Sequence, residues 1–142
     1  MNYLVKVLII PLVLLAIGFV ACTSAALDFE DMEWVLESYG ETGNTQLVIE
    51  GSEITATFDS ATHGVNGSAG CNHYFGDYEA DNSELSISSV GSTEMACMEP
   101  EGVMEQEQQY LHLLILAESY ETDDGQLRIT CSDGSVLVFI KD

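Results

Sequence analysis

Positive charge is almost missing: the 142 residues include only three lysines and arginines, against 24 aspartates and glutamates. Those three are Lys6, Arg128 and Lys141, so no basic patch can form. Such a chain repels nucleic-acid phosphate and anionic lipid headgroups, and nucleic acid is excluded as a partner class. No CxxC or HxxxH pair is present, so the ligand spacing that anchors a zinc site is lacking. No internal repeat or low-complexity tract divides the chain. A long hydrophobic run is lacking as well. The uncharged stretch Val7–Ala21 would reach only about 22 Å as a helix. A bilayer core is roughly 30 Å thick.

That stretch, preceded by the lone cation Lys6 and ended by the small Ala21, has the parts of a secretory signal. The sequence therefore predicts an exported chain whose residues 1–21 are a signal peptide. Phe19-Val20-Ala21-Cys22 resembles a bacterial lipobox, with Phe19 in place of the usual leucine. Cys22 is then the expected lipidation site and first mature residue, and residues 22–31 the tether. The expected location is extracytoplasmic, lipid-anchored at the cell membrane or outer membrane, because several acyl chains together hold a protein durably. Two alternatives stand beside this: plain secretion after cleavage near Ala21, and an uncleaved anchor running from Leu4 to Ala21.

The chain beyond residue 21 is long enough for one domain with a real core and too short for two. All 24 acids lie in it, scattered among apolar residues, which points to a folded domain with a solvated acidic face. Met32–Tyr39 reads as an entry strand carrying the only tryptophan, Trp34. Gln46–Ile49 and Glu53–Phe58 read as two strands joined by a tight hairpin at Glu50-Gly51-Ser52. Val65–Asn72 is rich in small residues and suits a strand whose glycines let another backbone come close. Tyr74–Glu79 and Leu85–Ile87 flank a polar turn at Asp81-Asn82-Ser83. One amphipathic helix is expected from Glu99-Pro100-Glu101 to about Ala117, with Val103, Met104, Glu107, Tyr110, Leu111, Leu114 and Ala117 at three- and four-residue steps. Gln126–Cys131 and Val136–Ile140 close the chain around an Asp133-Gly134 turn. The predicted class is α+β: an antiparallel, curved, barrel-like sheet of about six to eight short strands packed by one main helix.

Trp34 with Leu36 and Ser38, then Ile54–Phe58, then Gly67-Ser68-Ala69-Gly70-Cys71-Asn72-His73-Tyr74, resemble the META domain of HslJ-like proteins. The likeness extends through Ser92–Cys97, Met104–Glu107, Tyr110-Leu111 and Gly134–Phe139, so residues 32–142 are expected to be this domain. The resemblance implies a small envelope domain, often on a lipoprotein, without an established enzymatic activity. It also implies links to heat shock, novobiocin tolerance and, loosely, secretion or motility, and a fold similar to secretion pilotins.

In an oxidising compartment two of Cys71, Cys97 and Cys131 should pair. Cys71–Cys97 is the preferred disulfide, because both lie in irregular segments and both carry the family motif, while Cys131 sits in an ordinary strand. The alternative is that the two cysteines are small buried side chains that only touch. A Cys71 nucleophile with His73, His63 or His112 is disfavoured by the surrounding negative charge, which raises a thiol pKa. Zinc on Cys71, His73 and Cys97 competes with the disulfide, and no metal or other cofactor is expected. Asp77, Glu79 and Asp81 alternate like the start of a calcium loop, but Asn82 and Ser88 stand where Gly and Glu are required. The expectation is thus a non-enzymatic, membrane-tethered domain that binds another envelope protein. Its candidate contact segment is Gly70, Asn72, His73 and Tyr74 together with Met95. The rival is a small-ligand or calcium-binding envelope module.

Overall fold

The computed structural model describes residues 27–142. The expected signal peptide 1–21, the lipidated Cys22 and the first half of the tether lie outside these residues. The elements in order are β1 (Glu33–Glu41), β2 (Asn44–Leu47), β3 (Thr55–Asp59), β4 (Gly64–Ser68), β5 (His73–Asp81), β6 (Glu84–Ser92), α1 (Val103–Ile115), β7 (Ala117–Asp123), β8 (Gln126–Cys131) and β9 (Ser135–Lys141). All pairings are antiparallel. Eight strands follow one another from β1 through β3 to β9, and β9 pairs back onto β1, which closes a barrel. The predicted α+β class holds. Side chains alternate as a barrel wall requires: Leu127, Ile129 and Cys131 of β8 point inward to the core, with partly exposed residues between them.

Two expectations about local structure are corrected. The segments around Gln46–Ile49 and Glu53–Phe58 do not form a hairpin with each other. Both lie along the same edge of β1, β2 against Ser38–Glu41 and β3 against Glu33–Val35, and Glu50-Gly51-Ser52 is the crest of an excursion between them. Val48 N–H still bonds Glu37 O at 3.2 Å, and Leu36 N–H bonds Ile54 O at 2.8 Å, so β1 keeps its partners on either side of the gap. The helix opens at Val103 rather than near Glu99, because Gly102 takes a left-handed conformation (φ 86°) that no helical residue adopts. It also ends earlier, and Ala117 begins β7, a polar strand the periodicity did not reveal.

One barrel end is closed by the chain's own entry. Leu27–Asp31, expected to be the end of a tether, is packed: Phe29 is fully buried and its ring meets Phe58, Tyr78 and Tyr120 at centroid distances of 5.0, 6.1 and 4.5 Å. Trp34 Nε1 donates to Phe29 O at 2.9 Å, and Asp31 N–H to Phe58 O at 2.8 Å. Glu30 is buried with its carboxylate accepting the Tyr78 hydroxyl.

The other end is closed by α1, whose Tyr110, Leu113 and Leu114 join the core cluster. The Tyr110 and Tyr74 hydroxyls meet at 2.8 Å, and Tyr74 donates to Thr55 O at 2.9 Å.

These buried phenols set an alkaline limit. Desolvation raises Tyr74, Tyr78 and Tyr110, and the Glu30 carboxylate raises Tyr78 further. A phenol whose folded pKa exceeds its unfolded value of about 10 stabilises fully below that pH and loses the contribution as pH rises above it. The share of tyrosinate absorbance at 295 nm that belongs to Tyr74, Tyr78 and Tyr110 should therefore appear together with loss of far-UV dichroism, not before it.

Candidate functional site

At the α1 end, three irregular segments converge: the β4–β5 turn, the Thr93–Gly102 loop, and the first turns of the helix. Gly70 makes the turn possible with φ 108°, and a Cβ there would touch Gln106 and Val103 at 3.4 Å. Asn72 is buried and uses its whole amide. Its Nδ2 donates to Glu107 Oε1 at 2.7 Å and to Met95 O at 3.1 Å. Its Oδ1 accepts from Met95 N–H at 2.7 Å and from the Thr93 hydroxyl at 2.8 Å. Glu107, itself buried, accepts the backbone N–H groups of Asn72 at 2.6 Å and Cys71 at 3.2 Å. One carboxylate thus fixes a turn, and one amide fixes a loop to that turn.

Cys71 and Cys97 are bonded, with Cα atoms 5.9 Å apart. The same loop is held a third way, by Cys97 N–H on the Met104 sulfur at 3.4 Å. The disulfide spans 26 residues, so on the chain-entropy account it contributes about 3.5 kcal/mol, less any strain. Reduction with dithiothreitol should lower the melting temperature of the wild type and leave a Cys71→Ala/Cys97→Ala variant unchanged. Cys131 is buried in β8 with its thiol on Leu113 O at 3.3 Å, and desolvation pushes it up to about 12. It is a poor nucleophile.

The expected contact residues divide. Asn72 and Tyr74 point inward and hold the fold, and Gly70 is a backbone requirement. His73 and Met95 are exposed. Met98, which no sequence motif singles out, is 87 % exposed and Met95 59 %. His63, His73 and His112 are all exposed, and Asp77, Glu79 and Asp81 lie on the wet side of β5. Among the described residues no three His, Cys, Asp or Glu side chains converge to hold a metal. Glu107 was not expected at the site either, although its place in the helical stripe between Val103 and Tyr110 marked it as facing inward. A shallow cleft of about 640 Å³ opens elsewhere, where β6 and β7 diverge beyond their single paired position at Glu84 and Ser119.

The sequence model of the META domain matches residues 27–142. The chain belongs to the META domain family. The match includes the Leu27–Asp31 plug, in agreement with its packing. A protein from Burkholderia xenovorans solved by NMR is similar to this META domain at 27% identity and a TM-score of 0.68, over 80% of this chain and 83% of that one. A second NMR structure is 20% identical with a TM-score of 0.61, covering 80% and 91% of the two chains. A crystal structure of a duf4847 family protein from Bacteroides vulgatus shares the fold at 14% identity, TM-score 0.58, covering 81% and 95%. No curated protein matches the chain.

Proposed function

We propose that this META domain protein is exported, held at a membrane by lipid on Cys22, and works without catalysis by binding another envelope component. Its setting is stress or antibiotic resistance, or the assembly of a secretion apparatus. The observation that carries the reading is the Thr93–Gly102 loop: a disulfide and a buried amide tie it to a turn that a buried carboxylate fixes, yet it presents Met95 and Met98 to solvent. A loop fixed so firmly with its apolar side chains outward is what a binding surface needs, because little ordering remains to be done on contact. The Cys71–Cys97 bond is in keeping with an oxidising compartment beyond the cytoplasm.

Expression of the full chain and of Cys22→Ser in a diderm host, followed by detergent phase partition, tests the tether. Wild type in the detergent phase and the variant in the aqueous phase is the expected result; both in the aqueous phase overturns it. In-cell crosslinking with mass spectrometry tests the binding role: a recurrent crosslinked envelope protein is expected, and none from any exposed position overturns it.

A further inference from the structure

The strand registers give the barrel two unlike ends. Residues 33 of β1, 59 of β3, 81 of β5 and 84 of β6 lie at the end plugged by Leu27–Asp31, where the chain enters from its N-terminal side. Residues 68, 73 and 92 lie at the other, so the Thr93–Gly102 loop projects from the end remote from the chain's entry. If the entry leads to a membrane, the loop faces away from it.

That loop and the first turn of α1 carry two exposed methionines, Met95 and Met98, among four exposed acids: Glu94, Glu99, Glu101 and Glu105. From Thr93 to Glu105 there is no lysine, arginine or histidine. The two cations of the described residues are elsewhere. Arg128 in β8 pairs with Glu121 at 3.5 Å, and Lys141 ends β9 beside Trp34 at the plugged end. Among the described residues no lysine or arginine neutralises the rim. Methionine is also the side chain that best adapts its shape to a varied apolar partner, being unbranched and polarizable. Met98 is left almost wholly in water, which forgoes the burial that an inward turn would gain. On its N-terminal side the backbone is held by the Cys71–Cys97 bond and by Cys97 N–H on the Met104 sulfur.

We propose that the Met95–Met98 loop is the docking surface for a basic, amphipathic segment of a protein partner, its apolar face on the two methionines and its lysines or arginines on the surrounding glutamates. This rests on the binding role proposed above and names the partner's chemistry. An anionic bilayer is the wrong occupant, since the same glutamates repel its headgroups. The two contributions divide as such interfaces usually do: buried apolar anchors set how long the complex lasts, and the charged rim sets how fast it forms.

The test uses the full chain and a synthetic 18-residue peptide with leucines at i, i+3, i+4, i+7 spacing and lysines on its other face. A highly acidic protein attracts any cationic peptide weakly, so the discriminating variant keeps the charge: Met95→Ser/Met98→Ser. Amide chemical shifts should move at residues 93–105 and 71–73, and the double variant should weaken binding at least about tenfold. Glu99→Gln/Glu101→Gln should flatten the salt dependence of the association rate. Equal binding by the methionine variant, shifts that map to another face, or no binding at low salt overturns the proposal. So does tighter binding to vesicles of anionic phospholipid than to the peptide. A crosslinked envelope partner that persists when the loop is altered would sink this surface alone and leave the binding role standing.

Discussion

Glu107→Ala should destabilise the domain by about 3 kcal/mol, because it removes the acceptor of three hydrogen bonds at once and leaves the buried Asn72 N–H with none. The carboxylate accepts from two backbone N–H groups and from the Asn72 amide, and neither backbone group has another acceptor among the described residues. An orphaned buried donor costs more than the lost bond was worth, since water cannot replace the partner. For a domain of this size that corresponds to a fall in melting temperature on the order of 15 °C. Glu107→Gln is informative because it looks conservative and is not. Its single oxygen can serve the two backbone groups, which turns its NH₂ toward Asn72 Nδ2, a donor facing a donor. Asn72 cannot flip to relieve this, since its Oδ1 is already held by Met95 N–H and Thr93. The glutamine variant should therefore lose about 1–2 kcal/mol. Thermal denaturation of the three proteins checks the order wild type, glutamine, alanine. A glutamine variant as stable as wild type would show that the donors are satisfied in some other way.

The same residue shows what the sequence could disclose. Glu107 falls on the apolar stripe of α1, three residues before Tyr110 and four after Val103, and a carboxylate on an inward stripe has to find donors there. Periodicity could show that it faces inward. It could not supply the partner, because the Cys71 and Asn72 amides are 36 and 35 residues away in sequence. The barrel class and the β8–β9 turn were legible for a related reason: they rest on period-two alternation and an Asp-Gly turn, both local. The strand β7 was not. Its sequence, Ala-Glu-Ser-Tyr-Glu-Thr-Asp, buries only Tyr120, so its identity as a strand comes from pairing with β8 rather than from its own pattern. The false hairpin at Glu50-Gly51-Ser52 failed in the same way. Local turn chemistry was right, and Ser52 does fold back on Ile49 O, but which edge the flanking strands would join was decided by β1. At the site, Asn72 and Tyr74 were singled out by their place in a family-like motif. Such a motif does not separate residues that hold the fold from residues that face outward. Burial does, and it puts Met98 rather than Asn72 on the surface.

Gly67→Ala should be the more severe of the two backbone-level tests, costing about 4 kcal/mol or preventing folding, an effect at the upper end of what overpacking does. The small residues of Val65–Asn72 were expected to let a second backbone come close, and Gly67 is where it happens. A Cβ at this position would stand 2.1 Å from the Thr55 carbonyl oxygen and 2.6 Å from its carbon, distances at which one backbone or the other has to move. Neither can move freely. The Thr55 carbonyl also receives the Tyr74 hydroxyl at 2.9 Å, and through it the Tyr74–Tyr110 pair that joins α1 to the barrel. The Thr55 hydroxyl receives Ser68 N–H at 3.1 Å. Pushing β4 away from β3 to admit one methyl group therefore breaks a strand contact and pulls on the phenol pair under the helix, so the cost should propagate to the Gly70–His73 turn and the loop beyond it. Gly64→Ala is the matched control on the same strand: there the closest atom to the added carbon is the Thr62 hydroxyl at 3.2 Å, the end of a side chain that can rotate. It should change stability by less than about 1 kcal/mol. Urea denaturation of both variants, with amide exchange followed at Asn72 and Met95, checks the claim. Comparable stability for Gly64→Ala and Gly67→Ala would mean that β3 and β4 are not held as close as the Thr55 contact requires. A Gly67→Ala protein that unfolds early while keeping exchange protection at Asn72 would mean that the clamp on the Met95–Met98 loop does not depend on the barrel wall beneath it.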